Sequence, residues 1–271
     1  ARAGDGVAGA NRGSQLAGED GQTGWQVHIV DMRRPVPGLI VHVGEVMQGQ
    51  PQEGDQARVA VDRARRMEIR RNHTATHLLH RGLRQVLGSH VQQAGSLVAP
   101  ERLRFDFTHH ERVSKEQLDR IARSVNEAIL ENDPVRITHE AYDQALESGV
   151  IALFGEKYGD IVRVVRIGSP DALVSQELCG GTHVDETAEI AQFRIVSEGS
   201  VGAGLRRIEA VTGRGAEAYV SQRLHVLEHA AEALDGDPVE VDHQVQALVN
   251  QAERLQKELD EVSERIEQSQ E

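Results

Sequence analysis

A regular hydrophobic pattern begins at Trp25, after a leader rich in Gly, Asn, Ser and Gln that predicts loop or disorder over residues 1–24. Apolar residues then alternate with polar ones within 25–29, 39–43 and 59–61. A period of two predicts short strands, and turn residues separate the three segments. We therefore expect a small antiparallel sheet or partial β-barrel within residues 1–62.

Helical and extended patterns alternate after this point, over residues 63–213. Asp62 begins a basic helical stretch, and Asn72 is predicted to cap the helix that follows it. Extended patterns on both sides of Pro100 predict a hairpin over residues 91–108. Ser114 and the glutamine three residues later form a capping box that predicts another helix.

The last part of the chain, residues 214–271, has a helical pattern with a break near Pro238. From Val241 to Ile266, apolar residues follow one another at alternating spacings of four and three, which is a heptad seam. A charged helix with a narrow apolar stripe is not stable alone. We therefore expect a coiled coil, formed by self-association through residues 241–266 or with a following helix.

Composition indicates a soluble globular protein. The chain has 271 residues, of which 39% are hydrophobic, enough for a sizeable core. Its apolar runs are shorter than the roughly 18 residues that span a membrane, and its start lacks a signal-peptide pattern. We expect a cytoplasmic protein with no membrane partner. The single cysteine excludes an internal disulfide and leaves a metal ligand, a nucleophile or a buried apolar residue.

The net charge of −13 argues against a nucleic-acid partner until its distribution is considered. Residues 214–271 carry 14 acidic and five basic side chains, so most of the negative charge lies there. Seven arginines, with Glu68 as the lone acidic residue among them, form a basic strip: Arg63, Arg65, Arg66, Arg70, Arg71, Arg81 and Arg84. A local basic patch is what binding to a phosphate backbone requires.

Two residue pairs carry candidate metal chemistry. His73 and His77 are four residues apart, which places both imidazoles on one face of a helix, and Cys179 and His183 have the same spacing in a glycine-rich turn. Three imidazoles and one thiolate suit zinc. Each pair also has a plainer explanation, a solvated helix edge for the histidines and a buried thiol beside a tight turn for the cysteine. Thr74 stands where a His-Glu-x-x-His metalloprotease has its general base, which excludes that class.

Five segments, in this order, resemble the editing region of the alanyl-tRNA synthetase family. They are Asn72–His80, Gly95–Phe107, Ala152–Gly159, Glu177–His183 and Arg206–Gly213, within about residues 36–215. The resemblance implies the α+β fold shared with the editing domain of threonyl-tRNA synthetase, and the C-terminal heptads resemble the family's coiled coil. Residues 1–13 do not reproduce the family's Gly-rich segment that ends in Gly-Gly-Gln.

The resemblance also implies a function, zinc-dependent deacylation of Ser-tRNA(Ala) and Gly-tRNA(Ala). An alanine pocket gains only about 1–3 kcal/mol over glycine and rejects serine weakly, so a second hydrolytic site is the usual remedy. Gln93 matches a family position implicated in editing and is expected to position water, with Thr76 as part of the pocket wall. Zn²⁺, bound by His73, His77, Cys179 and His183, would activate water or hold the substrate.

Two alternatives accompany this hypothesis. A four-ligand site is typical of structural zinc, so the chain could be a non-catalytic tRNA-binding or dimerisation module. A freestanding trans-editing protein is disfavoured by the truncated coiled coil.

Overall fold

The computed structural model describes residues 15–18, 24–36, 38–152 and 158–270. The chain divides into two compact units, Ala1–Ala216 and Glu217–Glu271. The described strands are β1 (Gln15–Gly18), β2 (Gln26–Arg33), β3 (Val41–Gln48), β4 (Ala57–Ala60), β5 (Gln93–Val98), β6 (Leu103–Thr108), β7 (Val135–Ala141), β8 (Ile161–Ser169), β9 (Ala172–Leu178), β10 (Phe193–Gly202) and β11 (Leu205–Thr212). The α-helices are α1 (Arg63–Leu87), α2 (Lys115–Leu130), α3 (Tyr142–Glu147), α4 (Gly213–Ala233) and α5 (Val241–Gln270). The predicted α+β class is confirmed.

The N-terminal sheet has the antiparallel order β3-β2-β1-β4. Residues 15–18 form a strand, so the expectation of a loop over all of 1–24 is wrong there, and the rest of the leader except residue 24 lies outside the described residues. In the described part of the chain β3 and β4 remain separate edges, so the sheet is open and the predicted partial barrel is wrong. The indole of Trp25 donates to Asp55 at 2.8 Å and anchors the start of β2.

The second sheet, of order β10-β11-β6-β5, forms one side of the main hydrophobic core. Leu103, Phe105 and Phe107 alternate along β6 with intervening polar residues, and all three are fully buried. Period-two alternation places them on one face, against apolar residues of α1 and α2 in the same core cluster. The predicted hairpin around Pro100 and the capping box at Ser114 are confirmed.

Helix α1 is one continuous helix of 25 residues, and its N-cap is Asp62, whose carboxylate accepts from the Arg65 N–H at 3.0 Å. The prediction that Asn72 caps a helix is therefore wrong. Its side-chain amide is buried and donates to the carbonyls of Ala99 and Pro100, at 2.7 and 3.1 Å. Tertiary hydrogen bonds outweigh the local preference of asparagine for caps and fix α1 to the β5–β6 turn.

The third sheet, of order β7-β8-β9, delivers the glycine-rich turn. Strand β8 is rich in β-branched residues and pairs with both neighbours, so β9 lies at an edge of the described sheet. The chain leaves β9 after Leu178 directly into Cys179. The turn is thus attached to a sheet whose Leu178 and Val164 are buried.

The second unit contains the predicted long helix α5, which is broken from the preceding helix near Pro238. Its heptad side chains are exposed, with Leu255, Leu259 and Ile266 all about half accessible. An exposed apolar stripe of this kind is what a pairing helix would cover, and the coiled coil stays a prediction. Among the described residues, none of the helices combines the length and the apolar character that crossing a membrane requires.

Candidate metal centre

The structure brings the four predicted ligands together. His73 and His77 lie one turn apart on α1, and Cys179 and His183 lie in the turn that follows β9. One ligand atom from each residue falls within 4.8 Å of all the others. The Cys179 Sγ lies 3.3 Å from the Nε2 atoms of both His73 and His183. The four side chains could therefore hold a metal ion.

Two observations show that the cluster suits a metal ion. Among the described residues, the buried Nε2 of His77 has no hydrogen-bond partner, although buried polar nitrogens normally have one. Gly181 also brings the turn against α1, because a Cβ built on it would lie 1.9 Å from Cε1 of His73. Thiolate and imidazole donors are those that zinc and related borderline ions prefer.

One histidine of each ligand pair is oriented by a residue from the opposite segment. Glu177, on β9, accepts from Nδ1 of His77 at 2.8 Å and from Nδ1 of His80 at 2.9 Å. Thr74, on α1, lies with its hydroxyl 3.2 Å from Nδ1 of His183. A hydrogen bond at one ring nitrogen fixes the tautomer that the other nitrogen offers to a metal. The helix and the turn thus align each other's ligands.

The charges within the cluster determine its protonation. Burial raises the pKa of the Cys179 thiol, but the charges of His73 and His77 outweigh burial and lower it to about 2. Burial lowers the pKa of His77, yet the charges of Glu177 and Cys179 raise it to about 10. Burial lowers the pKa of His183 to about 3. At neutral pH Cys179 is a thiolate, and a metal ion would displace a proton from His77.

Arginines hold the turn in place through its carbonyl oxygens. Arg70 donates to the His183 carbonyl and, at 2.6 Å, to Asp185. Arg163 donates to the Cys179 carbonyl. Both ends of the turn are therefore fixed by charged donors, which form stronger hydrogen bonds than neutral ones.

The basic strip is consequently not a uniform phosphate-binding surface. Arg71 donates to the Glu189 carbonyl at 2.7 Å, and Arg84 donates to the carbonyls of Ser89 and Val91. Like Arg70, these two arginines bind backbone carbonyls of their own chain. By contrast, no hydrogen bond or ion pair joins the guanidinium of the half-buried Arg81 to another residue in the described part of the chain. It lines a cavity of about 440 Å³ between α1 and the third sheet, which extends to Glu177.

The two predicted catalytic residues lie outside the ligand cluster. Gln93 opens β5 opposite Phe107, which points into the core. Thr76 is buried, and its hydroxyl donates to the Asn72 carbonyl at 2.8 Å. Within the described ranges, no hydrogen bond joins either side chain to the four ligands. Their catalytic roles stay predictions.

Sequence reasoning overlooked the residues that support the ligands. Glu177 begins the segment Glu177–His183, but the sequence predicts no role for it. Thr74 was used only to exclude a metalloprotease. An acidic residue two positions before the cysteine, at the end of a strand, is a usable signal because a buried carboxylate requires a partner. The role of Thr74 has no comparable signal, since its partner His183 is 109 positions away.

Comparisons with known proteins identify the family to which the chain is similar. A family model described as the threonyl and alanyl tRNA synthetase second additional domain matches residues 162–209, which include Glu177, Cys179 and His183. The alanine–tRNA ligase of Chloroflexus aurantiacus is 47% identical over 261 residues, covering 91% of this chain and 29% of the relative. The chain belongs to the alanyl-tRNA synthetase family.

Other alanyl-tRNA synthetases match equally well. The alanine–tRNA ligase of Herpetosiphon aurantiacus is 50% identical, over 82% of this chain and 26% of the relative. That of Carboxydothermus hydrogenoformans is 53% identical, over 81% of this chain and 25% of the relative. The chain thus spans between a quarter and a third of the length of these relatives. Of the five sequence segments that carry the resemblance, Ala152–Gly159 lies mostly outside the described residues.

Proposed function

We propose that this chain performs the editing reaction of an alanyl-tRNA synthetase, zinc-dependent hydrolysis of the ester in Ser-tRNA(Ala) and Gly-tRNA(Ala). The observation that carries the proposal is the four-ligand cluster, half of which lies inside the matched family domain. The alanine–tRNA ligase relatives support tRNA(Ala) as the RNA partner. In this proposal residues 63–213 are the editing core, preceded by residues 1–62 and followed by a helical segment over 214–271.

His73, His77, Cys179 and His183 would hold Zn²⁺. When bound, the ion would supply Lewis-acid polarisation of a water or of a polar group of the substrate. Glu177 and Thr74 keep the ligand rings in place, and the Arg70 and Arg163 contacts hold the turn. The amide of Gln93 would orient the attacking water, and Thr76 would limit the size of the aminoacyl pocket.

The RNA would be held by a few basic side chains rather than by the entire arginine strip. Arg81 supports this because its guanidinium has no partner among the described residues and lies at a cavity wall. Arg63 is exposed at the start of α1. Phosphate contacts of this kind position an RNA without reading its sequence, so discrimination among tRNAs would have to arise elsewhere.

The alternative is a non-catalytic, zinc-stabilised module that binds tRNA or dimerises through residues 241–266. It is favoured by the completeness of the ligand set, because four protein ligands are typical of closed structural sites. The exposed heptad side chains of α5 fit the dimerisation part of this alternative. Both proposals include a bound zinc ion, but only the first expects the chain to hydrolyse aminoacyl-tRNA.

Deacylation of Ser-tRNA(Ala), Gly-tRNA(Ala) and Ala-tRNA(Ala) by the full chain tests the proposal. We expect hydrolysis of the first two esters, sparing of the third, and loss of hydrolysis in Cys179→Ala. Zinc content and tRNA binding should be measured on the same samples. Binding without turnover supports the module, and a Cys179→Ala chain that keeps both stoichiometric zinc and full deacylation refutes the metal centre.

A further inference from the structure

The hydroxyl of Thr74 makes three polar contacts, more than its place in the sequence suggests. It follows the ligand His73 on α1 and is fully buried. Its hydroxyl donates to the Arg70 carbonyl at 3.0 Å, accepts from the Val184 N–H at 3.1 Å, and lies 3.2 Å from Nδ1 of His183. One hydroxyl therefore touches its own helix, the backbone of the turn and a ligand ring.

The hydrogen-bonding capacity of a hydroxyl determines which partner gives a proton. A threonine hydroxyl has one proton and two lone pairs. The proton is directed to the Arg70 carbonyl, and the Val184 N–H occupies one lone pair. Toward His183 the hydroxyl can only accept, so Nδ1 carries the ring proton. The Nε2 atom then offers its lone pair on the side where Cys179 Sγ lies, 3.3 Å away.

We infer that Thr74 is a positioning residue that selects the Nδ1-protonated tautomer of His183 and thereby prepares Nε2 to bind a metal ion. The inference rests on the proposed metal centre for its consequence, although the tautomer itself is a property of the chain without metal. Histidine ligands in metal sites generally need such a partner at their second nitrogen. Here the partner is a neutral hydroxyl on the opposite segment.

Thr187 provides a matched control outside the proposed metal site and substrate pocket. Its side chain is fully buried, and its hydroxyl donates to the Ala128 carbonyl at 2.7 Å and accepts from the Asp133 N–H at 2.9 Å. It makes no hydrogen bond to a ligand in the described part of the chain. Replacing either threonine by valine removes one hydrogen bond to a carbonyl and one from a backbone N–H at similar volume, but only Thr74→Val removes the acceptor for His183.

Zinc affinity is the first readout, measured by chelator competition on the full chain. Thr74→Val should bind zinc about 10–100-fold more weakly than wild type, the usual cost of losing a partner of a ligand. Thr74→Ser keeps the hydroxyl and should restore most of the affinity, and Thr187→Val should leave it unchanged. Equal zinc affinity for Thr74→Val and wild type would overturn the inference.

The tautomer of His183 is the second readout and needs no metal. Histidine-selective ¹⁵N NMR on the metal-free chain reports which ring nitrogen is protonated, and the signals of His183 are those missing from His183→Gln. We expect Nδ1–H in wild type and Thr74→Ser, and a shift toward Nε2–H in Thr74→Val. An Nε2–H tautomer in the wild-type chain overturns the inference even if the valine variant fails to fold.

These two readouts separate the inference from the proposed function. If the wild-type chain binds no zinc, the metal centre is refuted, and the NMR result alone decides the role of Thr74. If zinc binds and the tautomer is Nε2–H, the metal centre stands and Thr74 is only a structural contact.

Discussion

Gly181 offers a direct test of how closely the two ligand segments must approach. It lies between Cys179 and His183, and a Cβ built on its backbone would lie 1.9 Å from Cε1 and 2.3 Å from Nδ1 of His73. Ordinary van der Waals contact begins near 3.4 Å. In Gly181→Ala the His73 ring or the turn must therefore retreat by about 1.5 Å, against a tolerance of about 0.2 Å for metal–ligand distances.

Such a displacement removes His73 from the ligand set without changing any ligand. We expect Gly181→Ala to bind zinc at least about 100-fold more weakly, more than the usual cost of losing a supporting partner. Gly180→Ala is the matched control, because nothing lies within 4 Å of a Cβ at that neighbouring glycine. Zinc affinity is measured by chelator competition, with circular dichroism to verify folding. If both alanine variants bind zinc as tightly as wild type, the geometry argued for His73 is wrong.

Three further predictions follow from the same contacts. Because the pKa of His77 is raised to about 10 while Cys179 is already a thiolate, zinc binding should release about one proton. Its affinity should rise about tenfold per pH unit between about pH 7.5 and 9.5, and a pH-independent affinity would contradict this. Glu177→Gln should weaken zinc binding about 10–100-fold, whereas Glu140→Gln, which alters an Arg166 ion pair on the third sheet, should not. Arg81→Gln should lower the salt dependence of tRNA binding by about one unit of slope, and an unchanged slope excludes this contact.

Local patterns were enough to predict much of the fold. The period-two pattern of Leu103, Phe105 and Phe107 and the capping box at Ser114 depend on neighbouring residues, and both predictions are confirmed. Asn72 could not be interpreted in this way. The preference of asparagine for helix caps is a local property, but the Asn72 amide donates to carbonyls of the β5–β6 turn some 27 positions away.

The same distinction applies to the site. Spacing places His73 beside His77 on one helix face, and chemistry suggests that Cys179 completes the set, so the cluster was predictable. The supporting contacts were not, because Glu177 and Thr74 act across about a hundred residues and nothing in their sequence neighbourhood specifies the partner. The arginine strip shows the converse error. Its composition predicts a phosphate-binding surface, but Arg70 and Arg71 bind carbonyls of their own chain.

The separation of the two ligand pairs has a consequence for synthesis of the chain. His73 and Cys179 lie 106 positions apart. At about 5–20 residues per second, a ribosome finishes the second pair about 5–20 s after the first. During that interval the nascent chain offers only two of the four ligands, both imidazoles, which make a weak and unselective site. Under the proposed function, the completed set of four ligands, with the thiolate present, would therefore select the ion, rather than whichever metal the growing chain meets first.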